Sequence, residues 1–335
     1  MLEQTHAQGV AARIVGKVHV RRGREKVRYQ GPRVDAARLS SWCEQQLGSP
    51  AVDELFCTGH LACVTGLRLA DGRRVVLKVR PSAPRITACV AVQRALFARG
   101  YPCPEPLTGV VSFDGCAVTA ESYVAGEARL PSVGRTAEPF AAALAQLVAT
   151  APRADGVPSL SPAPPWTAWN HREAALWPWP DDLDIDLNEV PSAGWIDEAG
   201  RAARRRLMAG REEAVIGHGD WNPPNLSWRG DGLLAVYDWD SVIADGEAVV
   251  AGFAAAGYPT TRPGGEATIA ESEEFLAAYA AARRREFGTA DLQRCWAAGV
   301  WLRAFDSKKQ YADGAPVLSL TESEARERLR RAGAY

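Results

Sequence analysis

The segment His218-Gly219-Asp220-Trp221-Asn222-Pro223-Pro224-Asn225, followed by Asp238-Trp239-Asp240, holds one candidate base and two further oxygen donors. Pro223 and Pro224 fix φ between Asp220 and Asn225 and close off a helix, which suits a side chain needing tight placement. Residues 226–228 and 233–237 read as two short strands, with Arg229-Gly230-Asp231-Gly232 between them as the turn. An antiparallel pair centred on that turn brings its open ends together, so Asn225 comes beside Asp238. An amide and a carboxylate at a cleft mouth suit Mg²⁺, which takes few protein oxygens and completes its octahedron with water and phosphates. Phosphoryl transfer asks a protein mainly to position reactants and neutralise charge. Asp220, placed to take the proton of an acceptor alcohol beside a metal-bound triphosphate, would complete that apparatus.

The order H-x-D-x-x-x-x-N, with an aspartate following at 238, resembles the catalytic segment of the protein-kinase-like superfamily. His-Gly-Asp and Tyr237-Asp238-Trp239-Asp240 are similar to the aminoglycoside phosphotransferase and choline kinase branch, since protein kinases usually carry arginine where this chain has Gly219. The resemblance covers residues 34–310 and implies an α+β, bilobal protein-kinase-like fold, with a small N-terminal lobe built on an antiparallel sheet and a larger, mainly helical C-terminal lobe. It implies ATP and Mg²⁺ as cofactors, Asp220 as base, Asn225 and Asp238 as metal ligands, and a structural His218. Asp240 is open between a metal or substrate carboxylate and a cap. A metal hydrolase would also use a His-x-Asp pair, but His6, His19, His60 and His171 are scattered without ligand spacing.

Three segments organise the chain: a basic extension over 1–33, a nucleotide-binding lobe over 34–125, and a catalytic and substrate-binding lobe over 126–335. Residues 34–47 read as a helix ended by Gly48-Ser49-Pro50. Residues 53–57, 63–69 and 74–80 read as strands, the first two joined over Thr58-Gly59-His60 and the last two over Asp71-Gly72. Alternation puts Lys78 on the face opposite Leu77 and Val79, and the resemblance makes it the cation that contacts the phosphates. A helix over 86–99 follows. The family commonly places a glutamate there to pair with the strand lysine, but Ala88-Cys89-Val90-Ala91-Val92 has no acid and Gln93 is the nearest polar residue. Either another carboxylate holds Lys78 or the pair is absent. Residues 110–113 and 117–123 read as a hairpin, and by resemblance the backbone from Ser122 to Val124 would bond the adenine edge at the hinge.

The C-terminal part reads as helices from 138 onward, over 271–287, from 292 and over 321–331, the one from 292 packing beneath the catalytic loop. Residues 151–200 are rich in proline and tryptophan and carry the acidic run Asp181-Asp182-Leu183-Asp184-Ile185-Asp186. They are either a substrate wall, with aromatics stacking on a ligand and acids drawing an amine, or an inserted surface loop.

Composition narrows the rest. A chain of 335 residues, 47% hydrophobic, buries a large core. No apolar run long enough to span a bilayer and no secretory pattern is present, so neither membrane nor export is expected. Seven cysteines without C-x-x-C spacing point to reduced thiols and a cytoplasmic setting. Net charge is −1, yet residues 1–33 carry eight Lys or Arg against two Glu, net +6. Val18, Val20, Val27 and Tyr29 interleave with those charges, which favours a solvated hairpin or tail over a nucleic-acid or membrane arm. The expected activity is phosphorylation of a hydroxyl on a small molecule, an aminoglycoside or similar antibiotic first. The alternatives are kinase action on a primary metabolite such as choline, a sugar or an amino-acid alcohol, and nucleotide binding without turnover.

Overall fold

Alternating apolar residues on the strands near the N-terminus need a cover for one face, and a short helix supplies it. The computed structural model describes residues 32, 34–126, 137–210 and 212–335; the reading of the basic extension falls almost wholly outside them. Helix α1 (Ala36–Leu47) starts where the Asp35 carboxylate accepts the N–H groups of Ala37 and Arg38, and ends at Gly48 with φ 75°. Strands β1 (Ala51–Thr58), β2 (Cys63–Leu69), β3 (Arg74–Pro81), β4 (Val111–Phe113) and β5 (Cys116–Ser122) form an antiparallel sheet in the order β1-β2-β3-β5-β4. Leu39 and Trp42 of α1 pack on Leu67, Leu69, Leu77 and Val79, so one face of the sheet is a closed apolar core.

The opposite face of β3 presents Val76, Lys78 and Arg80. Helix α2 (Arg85–Ala98) serves that side, and its Ala88, Cys89, Val92 and Leu96 belong to the core of the larger lobe. The helix thus ties the sheet to the body beneath it.

That body holds α3 (Ala137–Thr150), α4 (Gly194–Met208), α5 (Glu247–Gly257), α6 (Ile269–Arg283), α7 (Thr289–Asp313) and α8 (Glu322–Arg331). The long α7 packs against α4, α5 and α8, while α3 packs on α6. A Cβ on Gly252 of α5 would meet the Cys295 carbonyl of α7 at 2.3 Å, so the two helix backbones touch as only glycine allows. Two small strand pairs lie between helices and sheet: β6 (Ala214–His218) with β9 (Val242–Gly246), and β7 (Leu226–Arg229) with β8 (Gly232–Val236). No helix among the described residues is long and apolar enough to cross a membrane.

Two helices escape the sequence pattern. The stretch expected to be loop-like as far as residue 200 already contains the start of α4, whose buried stripe of Ile196, Ala199, Ala203 and Leu207 is half alanine. Helix α5 is buried on every side over most of its length and so lacks an amphipathic period. The tryptophans of 151–200 other than the exposed Trp179 are integrated rather than loose. Trp177 is buried against Trp301 and Phe305, and Trp169 Nε1 donates to Asp245 at 2.7 Å.

Candidate active site

The β7–β8 hairpin forms with Leu226 opposite Val236, and Tyr237 N–H donates to the Asn225 carbonyl at 2.8 Å. Asn225 and Asp238 therefore stand at its open end. Asp238 adopts φ 56°, ψ 52°, a left-handed conformation that costs a non-glycine residue about 1–3 kcal/mol, held by a Ser241 hydroxyl bonding its carboxylate at 2.9 Å. His218, at the end of β6, is fully buried. Its Nε2 lies 3.0 Å and 3.1 Å from the Tyr237 and Asp238 carbonyls, and its Nδ1 accepts the Asp220 N–H at 3.3 Å. Burial holds its pKa below the ordinary imidazole value, so it stays neutral and acts as a brace.

Gly219 has a steric reason. Its N–H donates to the Ser241 carbonyl at 2.7 Å, and a Cβ there would meet Thr167 Cγ2 at 2.9 Å and Ser241 O at 3.2 Å. Trp166 Nε1 donates to the Gly219 carbonyl at 2.9 Å, so the proline- and tryptophan-rich segment grips the loop that carries Asp220. The Asp220 carboxylate accepts Asn222 Nδ2 at 2.5 Å and Asn225 Nδ2 at 2.7 Å. Burial first, and then the charge of Asp238, push its pKa up to about 6.

Lys78 reaches across from the sheet. Its Nζ lies 2.6 Å from Asp238 Oδ1 and 3.2 Å from Asp240 Oδ2, and Arg80 Nε lies 3.0 Å from the same Asp240 oxygen. Burial opposes the ammonium, but the two aspartates outweigh it and raise the Lys78 pKa above the usual lysine range. Conversely, burial would raise Asp238, yet Lys78 holds it far below the ordinary carboxylate value. Asp240 is thus a counter-ion shared by two cations, and Arg85 of α2 caps its carbonyl from behind.

Lys78, Asp220, Asp238 and Asp240 line one cavity of about 860 Å³. Asn225 touches it through Asp220. Ser122 and Val124 do not line it, and the Ser122 N–H is bonded to the Glu105 carbonyl at 2.9 Å, so that N–H is not available to a base edge. Pro106 forms an isolated antiparallel bridge with Glu121 next to it. The cavity lining also includes residues that no motif marks. Asp306 and Lys309 of α7 and Glu266 stand there with Trp179, Asp181 and Asp182 of the tryptophan-rich segment. Burial, opposed by Lys309 and aided by Glu266 and Asp220, lifts Asp306 to about 7. Lys309 Nζ bonds Asp182 at 2.7 Å. No short motif marks α7 as part of the site, because its residues are brought there only by helix packing.

A five-stranded lobe over a helical lobe, with lysine, aspartate and asparagine meeting at their junction, defines a kinase-like phosphotransferase architecture. The profile of the phosphotransferase enzyme family matches residues 65–245, more than half of the sequence, and the chain belongs to that family. It is a small-molecule phosphotransferase. No curated protein sequence matches it. Among solved structures, the amicoumacin kinase hAmiN, determined with AMP-PNP, Ca²⁺ and Ami, is 13% identical with a TM-score of 0.58 over 84% of this chain and 86% of its own. Spectinomycin phosphotransferase with ADP and spectinomycin is 11% identical, TM-score 0.55, over 90% and 94%. A putative fructosamine-3-kinase from Thermobifida fusca is 17% identical, TM-score 0.52, over 87% and 98%. At such identities the likeness is one of fold, and it bears out the bilobal α+β architecture.

Proposed function

We propose that the protein transfers the γ-phosphoryl group of ATP to a hydroxyl of a small, amine-bearing molecule, with residues 34–125 as the nucleotide lobe and residues 126–335 as the catalytic and acceptor lobe. The observation that carries this reading is that Lys78, paired with Asp238, and Asp220, bonded by Asn225, line one cavity together with Asp181, Glu266 and Asp306. Asp220 accepts the proton of the acceptor hydroxyl, and its position between two amide donors fixes the carboxylate's orientation. Asn225 gives its N–H to Asp220, which leaves the amide oxygen as its donor toward a cation. Asp238 already faces a positive charge, since the Lys78 ammonium stands against it. Those hard oxygens fit Mg²⁺, and Asn225 and Asp238 would hold it; when bound, the ion neutralises phosphate charge. Lys78 and Arg80 supply the remaining cationic groups near the phosphates. His218 keeps the loop in register and Trp166 anchors it from the acceptor side.

In the cavity lining, Glu266, Asp306 and Asp181 favour an acceptor carrying ammonium groups, and Trp166 and Trp179 offer flat apolar faces. An aminoglycoside or another cationic natural product meets both demands. A primary metabolite with one amine, such as an amino alcohol, meets the acidic demand in a cavity larger than it needs. Supply of ATP sets the enzyme in the cytoplasm. The test is Mg²⁺-dependent ADP production across a panel of aminoglycosides, other amine antibiotics, choline, sugars and amino-acid alcohols, with chelation as control. Turnover confined to amine-bearing alcohols and abolished by chelation supports the reading. Tight nucleotide binding with no turnover on any acceptor would overturn it in favour of a non-catalytic nucleotide binder.

A further inference from the structure

Lys78 is held by Asp238 and Asp240 of the large lobe. When the site is loaded Asp238 faces the cation, which leaves Lys78 only a share of Asp240, whose Oδ2 lies 3.2 Å from Lys78 and 3.0 Å from Arg80. A carboxylate on the lysine's own sheet would replace the lost partner. Helix α2 has none within reach, since its inward polar residue is Gln93.

The strand register supplies one. Lys78 of β3 lies opposite Thr119 of β5, and Val76 lies opposite Glu121. Residues two apart on a strand share a face, so Glu121 and Lys78 are diagonal neighbours on the cleft side, a separation that long side chains bridge. Arg80 already uses the other diagonal, donating to Thr119 Oγ1 at 3.0 Å. Glu121 is not loose. Gln93 is buried, and its Nε2 donates to Glu121 Oε2 at 2.9 Å while also bonding the Pro104 carbonyl at 3.0 Å. The buried amide of Gln93 thus ties helix α2 to a carboxylate on strand β5.

We propose that Glu121, oriented by Gln93, is the positioning residue that takes over Lys78 when nucleotide and cation engage Asp238, so that the acid sits on strand β5 and its holder on helix α2. The inference rests on the phosphotransferase reading. Burial lifts the Glu121 pKa and Lys78 opposes that rise, which agrees with a carboxylate that gains from approaching the ammonium.

The test uses the full chain, with Mg·AMP-PNP affinity by calorimetry, thermal midpoints, and steady-state kinetics on an acceptor found in the panel. Glu121→Gln should weaken Mg·AMP-PNP binding by about tenfold, as loss of one charge-assisted contact does, raise KM for ATP and leave KM for the acceptor unchanged. The exchange Gln93→Glu with Glu121→Gln, which returns the acid to the helix, should recover most of that affinity, a result that a merely structural Glu121 would not give. Glu121→Gln binding within twofold of the unaltered chain, or a loss that the exchange fails to recover while thermal midpoints hold, overturns the inference alone. An unaltered chain that binds no nucleotide overturns the phosphotransferase reading and this inference with it.

Discussion

Asp220→Asn is expected to abolish turnover while making the protein more stable above about pH 6. The Asp220 carboxyl stands at about 6 against an ordinary 3.8, so the fold opposes its ionised form by up to ~3 kcal/mol. Because the folded state holds the proton more tightly than the unfolded chain, stability declines as pH rises from 3.8 through about 6, and the whole penalty stands above that window. Asparagine carries no charge and removes it. Against this, Asp220 accepts from both Asn222 and Asn225, and an amide can accept only one of those two, a loss of about 1–1.5 kcal/mol. The net is a gain of ~1.5–2 kcal/mol at pH 7.5. With 335 residues and an unfolding entropy of roughly 2.1 cal/mol/K per residue, Tm rises by ~2–3 °C. Near pH 4 the charge penalty has mostly gone and the lost hydrogen bond remains, so the variant becomes the less stable of the two. Scanning calorimetry or fluorimetry from pH 4 to 8 reads the crossing, and kinetics at pH 7.5 reads the loss of about 10²–10⁴ in kcat. A Tm difference that is the same at every pH would refute the assignment of a strained, ionised carboxylate at this position.

Two further outcomes follow from the same contacts. Gly219→Ala drives a Cβ to 2.9 Å from Thr167 Cγ2 and 3.2 Å from Ile243 Cγ2, so it should cost ~1–3 kcal/mol by calorimetry and lower kcat more than either KM, since the displaced loop carries the base. Lys78→Met strands Asp238, whose depressed pKa now supplies stability above pH 3.8 that is lost as pH falls; the variant should lose ~1–3 kcal/mol at pH 7 with a smaller deficit at pH 4, and should bind Mg·ATP weakly.

The parts legible in the sequence are those whose partners lie close along the chain. The β7–β8 hairpin declares itself through Gly230 and Gly232 between two apolar runs, and once it closes, Asn225 and Asp238 have no freedom to part. The β3 alternation places Lys78 opposite the Leu77 and Val79 core face, and the covering helix α1 carries its own cap and stop. Helices α4 and α5 were harder to read because alanine-rich or wholly buried faces leave little contrast between inside and outside.

What the sequence withholds is set by long-range packing. Asp306 and Lys309 enter the cavity only because α7 lies along α4 and α5, and nothing within the helix distinguishes them from its other polar residues. The proposed carboxylate for Lys78 shows the limit most sharply. Helix α2 carries no acid, and its buried polar residue is Gln93. Only the pairing of β3 with β5 brings Glu121 onto the lysine's face, and only then does Gln93 read as the donor that holds it. That hydrogen bond from amide to carboxylate couples helix α2 to strand β5. Sequence separation of 28 residues between Gln93 and Glu121 hides that coupling, whereas in space it is a single contact at the back of the nucleotide cleft.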